Sequence, residues 1–561
     1  MRSWKLEVGG WRAGFGDWGF EFPHVSPRWR WITTALFALA ALALAGQLLV
    51  YFHYSISLFR FPFDYDQGEG FELYDTALHA QGQWPYRDSQ SFPFYTSIYP
   101  PLFHLMTVPL VWAFGTQMWT GRAVGFAASL MAAGAIGWGV WRAGGNRVIA
   151  VFSGLTFLAS NYTFHIGPLF RQHMTMVMFE ALGIVALAQI GRRTFNREDA
   201  KSAKGAEREK PGEDSARWAV KDRWLWPGLL FLLAAGYTKQ LALATVLAGL
   251  AFLFLRGPRR AILAGAGLAL AAGGLFLWIN HATGGWWYVS IIRANLNTYD
   301  LAQALSLYRQ WVGLHLVIFL IALGRLIYEI YLDRLSAYAL WFVFAFANGA
   351  LSGKFGAGES YFVTTTAAAC ALCGVALANL WKRSARWPPR WATALALALP
   401  LLYLVQARLT LHLYTTGPIY GPMARVLGVV GNNGDYKDYY DSQGYTQLGP
   451  RPKRADIEAG YAIAGLARRA PGPVFSEEAG FMFAAGKPVV TNPFPQLVME
   501  QARLFDPTQE IAMINAKAFG LVILRAQFYP RPVLAALGAN YQPQTEIRMN
   551  GFLYRILEPR P

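Results

Sequence analysis

The sequence predicts a polytopic α-helical membrane protein with a C-terminal extracytoplasmic α/β domain. Three observations carry this reading. The 561 residues are 54% hydrophobic and only 15% charged, against about 25% charged in an average soluble chain. The apolar residues fall in unbroken blocks of roughly 17–22, the length a helix needs to cross a bilayer. After residue 411 the pattern changes to short apolar strands, amphipathic helices and turns. Together these exclude a soluble enzyme, a disordered chain and a secreted disulfide scaffold. The two cysteines, Cys370 and Cys373, sit in one apolar block. At i,i+3 they share a helix face and read as packing residues. A net charge of +17 would point to nucleic acid in a soluble protein. Here Lys and Arg collect in loops on one side, the bias that sets orientation in a membrane, and no nucleic-acid partner is expected.

Residues 1–30 form a polar cytoplasmic segment with Arg2, Lys5, Arg12, Arg28 and Arg30. The first apolar block, 31–51, is a retained helix, since its leader is long and the block is of spanning length. Residues 52–98 are the first outer loop, where Asp64, Asp66, Glu69, Glu72, Asp75 and Asp88 face only Arg60 and Arg87. From about Glu69 an amphipathic helix runs to His79 along the membrane surface. The proline-led segment 98–116 lies in or dips into the outer leaflet. Further spans follow at 121–141, 147–166, 173–191, 224–238, 239–256, 261–280, 311–331, 335–352, 360–381 and 391–411. With the first block this gives about eleven in the module 31–411. The inner loops then hold Arg142 with Arg147, Arg192 with Arg193 and Arg197, Arg256 with Arg259 and Arg260, and Lys382 with Arg383, Arg386 and Arg390. The loop 192–223 is mixed in charge and almost without apolar residues, so it cannot bury a core and is expected to be disordered. Residues 412–561 make an outer domain of ordinary size. It holds a helix at 455–470, strands at Val474–Ser476 and 519–524, a short helix at 533–537 and a terminal hairpin at 547–556. The protein is placed in the plasma (inner) membrane with its N-terminus cytoplasmic.

The first outer loop contains Phe61-Pro62-Phe63-Asp64-Tyr65-Asp66-Gln67-Gly68-Glu69-Gly70. Three carboxylates lie within six residues, beside glycines that allow tight backbone geometry. The pattern fits acid–base chemistry, a hard-cation site, or simply a loop kept outside by its charge. Next comes Tyr95-Thr96-Ser97-Ile98-Tyr99-Pro100-Pro101-Leu102-Phe103-His104, whose double proline suits a helix start. Inside apolar sequence, Lys239 stands out. Burying a charge at membrane depth costs at least about 2.5 kcal/mol and marks a functional candidate, unless the side chain snorkels from a helix end. Glu180, His104 and His315 raise the same question, which helix-to-helix hydrogen bonds also answer. The outer turn from Ser352 to Tyr361 sets Lys354 and Glu359 among glycines. His165, Arg171 and His173 form a further outer polar rim, and Arg293 another.

This arrangement resembles the GT-C glycosyltransferases, which use polyprenyl-phosphate-linked sugars and include aminoarabinose transferases and protein O-mannosyltransferases. The matching parts are the first helix, the acidic outer loop, the Tyr99-Pro100-Pro101 segment, the Thr238-Lys239-Gln240 turn and the C-terminal domain. In that family the acidic pair is Asp-Glu. Here Asp66 takes the Asp position, Gln67 replaces the Glu, and Glu69 is a substitute for it. A lysine common before the proline is replaced by Tyr99. The resemblance implies an enzyme that transfers a sugar to an extracytoplasmic acceptor, whether envelope glycan, lipid or protein. Asp66 is then the base that takes the acceptor's proton, with Asp64 or Glu69 as substitutes. Lys239, Arg171 and Lys354 hold the donor phosphate. Tyr99, Pro100, His104, Glu359 and Tyr361 bind substrate. A divalent cation (Mg or Mn), where one is used, sits on Asp66 and Glu69, and membrane lipids are further partners. The other readings are a lipid-linked sugar flippase and a non-catalytic scaffold. Transporters often show repeated halves, and none is visible here. An enzyme requires Asp66, Lys239 and the 354–359 turn to converge on one cavity.

Overall fold

The computed structural model describes residues 25, 27–190, 223–429, 449 and 451–561. Most of the basic N-terminal segment and of the loop 192–223, expected to be disordered, lies outside the described residues.

The first helix, Pro27–Phe59, is longer than its apolar block because Tyr51, Tyr54 and Leu58 continue a buried face beyond residue 51. Among the described residues five helices are long and apolar enough to cross a membrane: Trp29–Phe59, Met118–Gly144, Pro258–Ala282, Glu359–Ser384 and Pro389–Leu409. A sixth is added if Leu301–Leu314 and Leu316–Leu332 count as one span. Length and composition of the described residues therefore do not confirm the expected count of about eleven. The other apolar blocks give helices of 10–17 residues, among them Arg147–Leu158, His173–Leu187 and Leu225–Thr238. The segment 98–116 yields Leu102–Phe114, 13 residues and so about 20 Å long, short of a hydrocarbon core of about 30 Å.

The expected span 311–331 falls mostly on Leu316–Leu332, which meets the preceding helix Leu301–Leu314 at 95°, with His315 at the corner. Buried His315 holds Ser160 through Nε2 at 2.8 Å and sits on the Trp311 carbonyl through Nδ1 at 3.0 Å. The preceding helix is capped by Asp300, whose carboxylate accepts from the Ala302 N–H at 2.8 Å, the ordinary N-cap contact.

The helix Val363–Ser384 is the axis of the bundle. It packs on Met118–Gly144, Arg147–Leu158, His173–Leu187, Leu316–Leu332 and Ala337–Asn348. Its Ala and Gly residues let these neighbours approach closely, as in other membrane helix packing. Cys370 and Cys373 lie buried and unoxidised within it. Glu180 is a polar pin between helices: its carboxylate accepts from Thr245 and from Thr364, each at 2.7 Å, and Trp341 Nε1 donates to Thr245 at 3.1 Å.

The C-terminal segment holds a four-stranded sheet of order β1-β2-β4-β3, from β1 Val474–Ser476, β2 Leu521–Leu524, β3 Tyr541–Met549 and β4 Phe552–Pro559. β1 and β2 are parallel, with Val474 opposite Leu521, and the other pairs are antiparallel. The amphipathic helix Arg454–Arg469 packs on β3 and on the helix Gly480–Ala485. This segment is seated on the first outer loop. Phe63 packs edge-on against Tyr461 and at a tilt against Phe481, ring centroids 5.2 and 5.5 Å away, and Phe94 N–H donates to the Val490 carbonyl at 3.0 Å.

Candidate functional site

The site is organised by the helix Glu69–Ala80, whose acidic first turn suits the positive end of the helix dipole. Gly68 caps it with φ +92°, a left-handed conformation that favours glycine. The spacing puts Glu72, Asp75 and Thr76 on one face, and all three are buried.

A cavity of about 720 Å³ opens beside this face. Its wall includes Asp66, Glu72 and Asp75 from the first loop, Tyr99, Arg171 and Lys239 from the helical part, and Glu359 and Tyr361 from the glycine-rich turn. The C-terminal segment closes the other side with Asn492 to Pro495, Arg525 to Phe528, Phe552 and Arg555. Within it, Arg171 grips Asp66 Oδ2 through Nε at 3.0 Å and Nη2 at 2.7 Å, and reaches Glu72 Oε1 through Nη1 at 3.3 Å. Arg171 also donates to the Gln67 carbonyl, and Gln172 to the second oxygen of Glu72. Asp75 accepts from Tyr95 at 2.6 Å and from Ser97 at 2.5 Å. Lys239 Nζ lies 4.6 Å above the Tyr99 ring, a cation–π contact. The break between Leu225–Thr238 and Gln240–Ala242 places that lysine. It thus brings a cation to the tyrosine that stands where the resemblance expects a lysine.

The three carboxylates of the motif part company. Asp66 alone lines the cavity. Glu69 is fully buried and consumed by structure: it accepts from Arg122 Nε at 2.9 Å and Nη2 at 2.7 Å, and from the N–H groups of Phe170, Tyr65 and Asp66. Burial works to raise its pKa, but the Arg122 charge and these donors hold it below the usual carboxylate value. Asp64 is the rivet to the C-terminal segment, accepting from Gly70 N–H at 2.6 Å and Gly480 N–H at 3.0 Å. Burial pushes it up to about 6. Burial also raises Glu72 to about 8, against the pull of Arg171, and Asp75 to about 7, against its two hydroxyl donors. Pro100 is buried outside the cavity wall, and His104 lies behind it against Glu72 and Asp75. Lys354 Nζ donates to the Asn295 carbonyl at 2.6 Å and is likewise off the wall.

Asp66 and Glu69 do not form the expected cation pair, since Arg171 occupies one and Arg122 the other. Among the described residues the His and carboxylate group with ligand spacing is Glu72, Asp75 and His104. Sequence reasoning missed Glu72 and Asp75 as cavity residues, although their spacing on the loop helix was visible. It missed Arg122 as well, a lone charge within the apolar run 121–141. Arg525, Phe552 and Arg555 carry no local signal, because only the sheet brings them to the cavity.

No protein-family profile matches the chain, and no curated protein matches it. Solved structures do. The crystal structure of ArnT from Cupriavidus metallidurans bound to undecaprenyl phosphate matches at TM-score 0.54 and 14% identity, over 92% of this chain and 98% of that one. The apo state of the same protein gives 0.55, again at 14% identity, over 93% and 98%. An oligosaccharyltransferase from Archaeoglobus fulgidus is a looser likeness, at TM-score 0.46 and 13% identity over 91% of this chain and 73% of that one. The chain has the fold of the GT-C glycosyltransferases, the class that its sequence resembles.

Proposed function

We propose that the protein is a membrane glycosyltransferase that moves a sugar from a polyprenyl-phosphate donor to an extracytoplasmic acceptor in the cell envelope. The observation that carries this reading is the convergence of Asp66, Arg171, Lys239, Tyr99, Glu359 and Tyr361 on one cavity, in a chain folded like a protein crystallised with undecaprenyl phosphate. A polyprenyl phosphate departs as an anion, so no acid need protonate it. What the reaction requires is a carboxylate to take the proton of the acceptor hydroxyl and cations to meet the phosphate as its charge develops. Asp66 is the base. Arg171, which already holds Asp66 in place, and Lys239 are the phosphate clamp, with Lys354 behind the wall adding positive potential. The acceptor oxygen bonds to the anomeric carbon as the bond to the phosphate oxygen breaks, and the hydroxyl proton passes to Asp66. A single displacement of this kind inverts the anomeric centre. Glu359, Tyr361 and Tyr99 contact the sugar. The C-terminal segment faces outside and covers the acceptor.

The test is mass spectrometry of envelope glycans and lipid-linked sugars in cells with and without the protein. The reading expects one glycan modification to disappear and one lipid-linked sugar to accumulate when the protein is absent. Unchanged pools of both would overturn it.

A further inference from the structure

We propose that Glu72, Asp75 and His104 bind a divalent cation of the zinc class in the wall of the cavity. The site does not depend on the transfer reading, and it differs from the Asp66–Glu69 pair expected from the sequence.

The argument begins with a proton count. The Thr76 hydroxyl has one hydrogen, and it donates to the Glu72 carbonyl at 2.9 Å. With that hydrogen on the Glu72 carbonyl, the contact with His104 Nδ1 at 3.1 Å is one that Thr76 accepts, and the hydrogen-bond network assigns the ring proton to Nδ1. His104 Nε2 is left bare. It is fully buried and has no hydrogen-bond partner, yet it points at two acceptors, Glu72 Oε2 at 3.4 Å and Asp75 Oδ2 at 3.8 Å. Glu72 Oε2 already accepts from Gln172 and Asp75 Oδ2 from Ser97, and three such acceptor atoms facing one another away from water repel unless a shared proton or a cation lies between them. The neighbouring cations do not fill that role: Lys239 pulls on Glu72 and Arg87 on Asp75 without a hydrogen bond to either among the described residues. Arg171 commits Nε and Nη2 to Asp66 and meets Glu72 only through the other oxygen. A dication would balance the two carboxylates.

Geometry selects the class. The three ligand atoms lie within 4.8 Å of one another. Ligands on a tetrahedral zinc ion with bonds of about 2.0–2.1 Å stand about 3.4 Å apart. One imidazole with two carboxylates is a zinc-type donor set, whereas Mg²⁺ prefers oxygen and water. The supports around the ligands are those a metal site uses. Thr76 fixes the His104 tautomer, Gln172 and Arg171 orient Glu72, and Tyr95 and Ser97 orient Asp75.

The experiment uses the full chain in nanodiscs, stripped of metal and titrated separately with Zn²⁺ and Mg²⁺. The expected result is one equivalent of Zn²⁺ bound in the micromolar range or tighter, with Mg²⁺ much weaker. His104→Gln and Asp75→Asn should each weaken zinc by at least about 100-fold, since changes even outside the ligand shell cost about 10–100-fold. X-ray absorption of the zinc-loaded wild-type chain needs no variant to fold, and should give one imidazole with carboxylate oxygens. No zinc bound at micromolar concentration would mean that a proton alone fills the gap, and the proposal fails. Unchanged affinity in both variants, or a shell with sulfur or several imidazoles, overturns it equally.

Discussion

Asp66 and Glu69 are three residues apart, and their surroundings separate them. Asp66 is partly exposed to the cavity and shares Arg171 with Glu72. Glu69 and Arg122 are sealed from water. Asp66→Asn should therefore leave folding intact and reduce sugar transfer by about 10²–10⁴, the usual worth of a positioned general base. Transfer assays in isolated membranes, alongside a thermal melt, check both halves. Glu69→Gln should act on stability instead. Removing one member of a buried ion pair costs about 3–5 kcal/mol because its partner stays charged and unpaired. The thermal unfolding temperature in detergent should fall clearly, with Arg122→Met doing the same. The double variant should lose less than the sum of the two, as coupled neighbours do.

Among the elements, the loop helix Glu69–Ala80 joins the two halves of the molecule. Gly70, in its first turn, touches Asp64 and the start of the helix Gly480–Ala485. A Cβ there would stand 2.9 Å from Asp64 Oδ2 and run into the Gly480 backbone. Backbone cannot move aside as a flexible side chain does. Gly70→Ala should cost about 1–3 kcal/mol through overpacking and loosen the C-terminal segment, read as faster cleavage by limited proteolysis. A wild-type cleavage pattern would show that the junction tolerates the methyl. This helix was legible in the sequence, because its start follows glycine and its apolar and acidic residues alternate at helical spacing. The turn at His315 was not. The apolar run passes through it unbroken, and the contact that fixes the corner, with Ser160, comes from 155 residues away.

For the whole molecule, the C-terminal segment both completes the cavity and carries a pH-sensitive weakness. Glu510 is buried with no ion-pair partner among the described residues; one oxygen accepts from Gln496 at 3.0 Å and from Thr491 at 3.5 Å, and the other has no hydrogen-bond partner. Burial pushes its pKa up to about 8. In the unfolded chain it ionises near about 4.3. Between these values the folded state holds a proton that the unfolded state has released, so stability falls as pH rises. Melting temperature should drop from pH 5 to pH 8 in the wild-type chain, with Asp64, Glu72 and Asp75 adding to the slope, and Glu510→Gln should make it shallower while keeping the amide contacts. An identical slope in both proteins would place the pH dependence elsewhere.

Hydropathy and charge by themselves determined that this is a helical membrane chain, where its acidic loop begins, and that Asp66, Lys239 and the 354–361 turn are the residues to watch. These are local signals: an apolar run must leave water, and a charge inside it must have a reason. Tertiary structure decided how the charges of that loop are partnered. Glu69 became an ion-pair anchor because Arg122 arrives from another helix, Asp64 a rivet because Gly480 does, and Glu72, Asp75 and His104 a cluster because the proline-led helix packs on the loop helix. Which carboxylate keeps a free face depends on partners distant in sequence, and no local pattern encodes that choice.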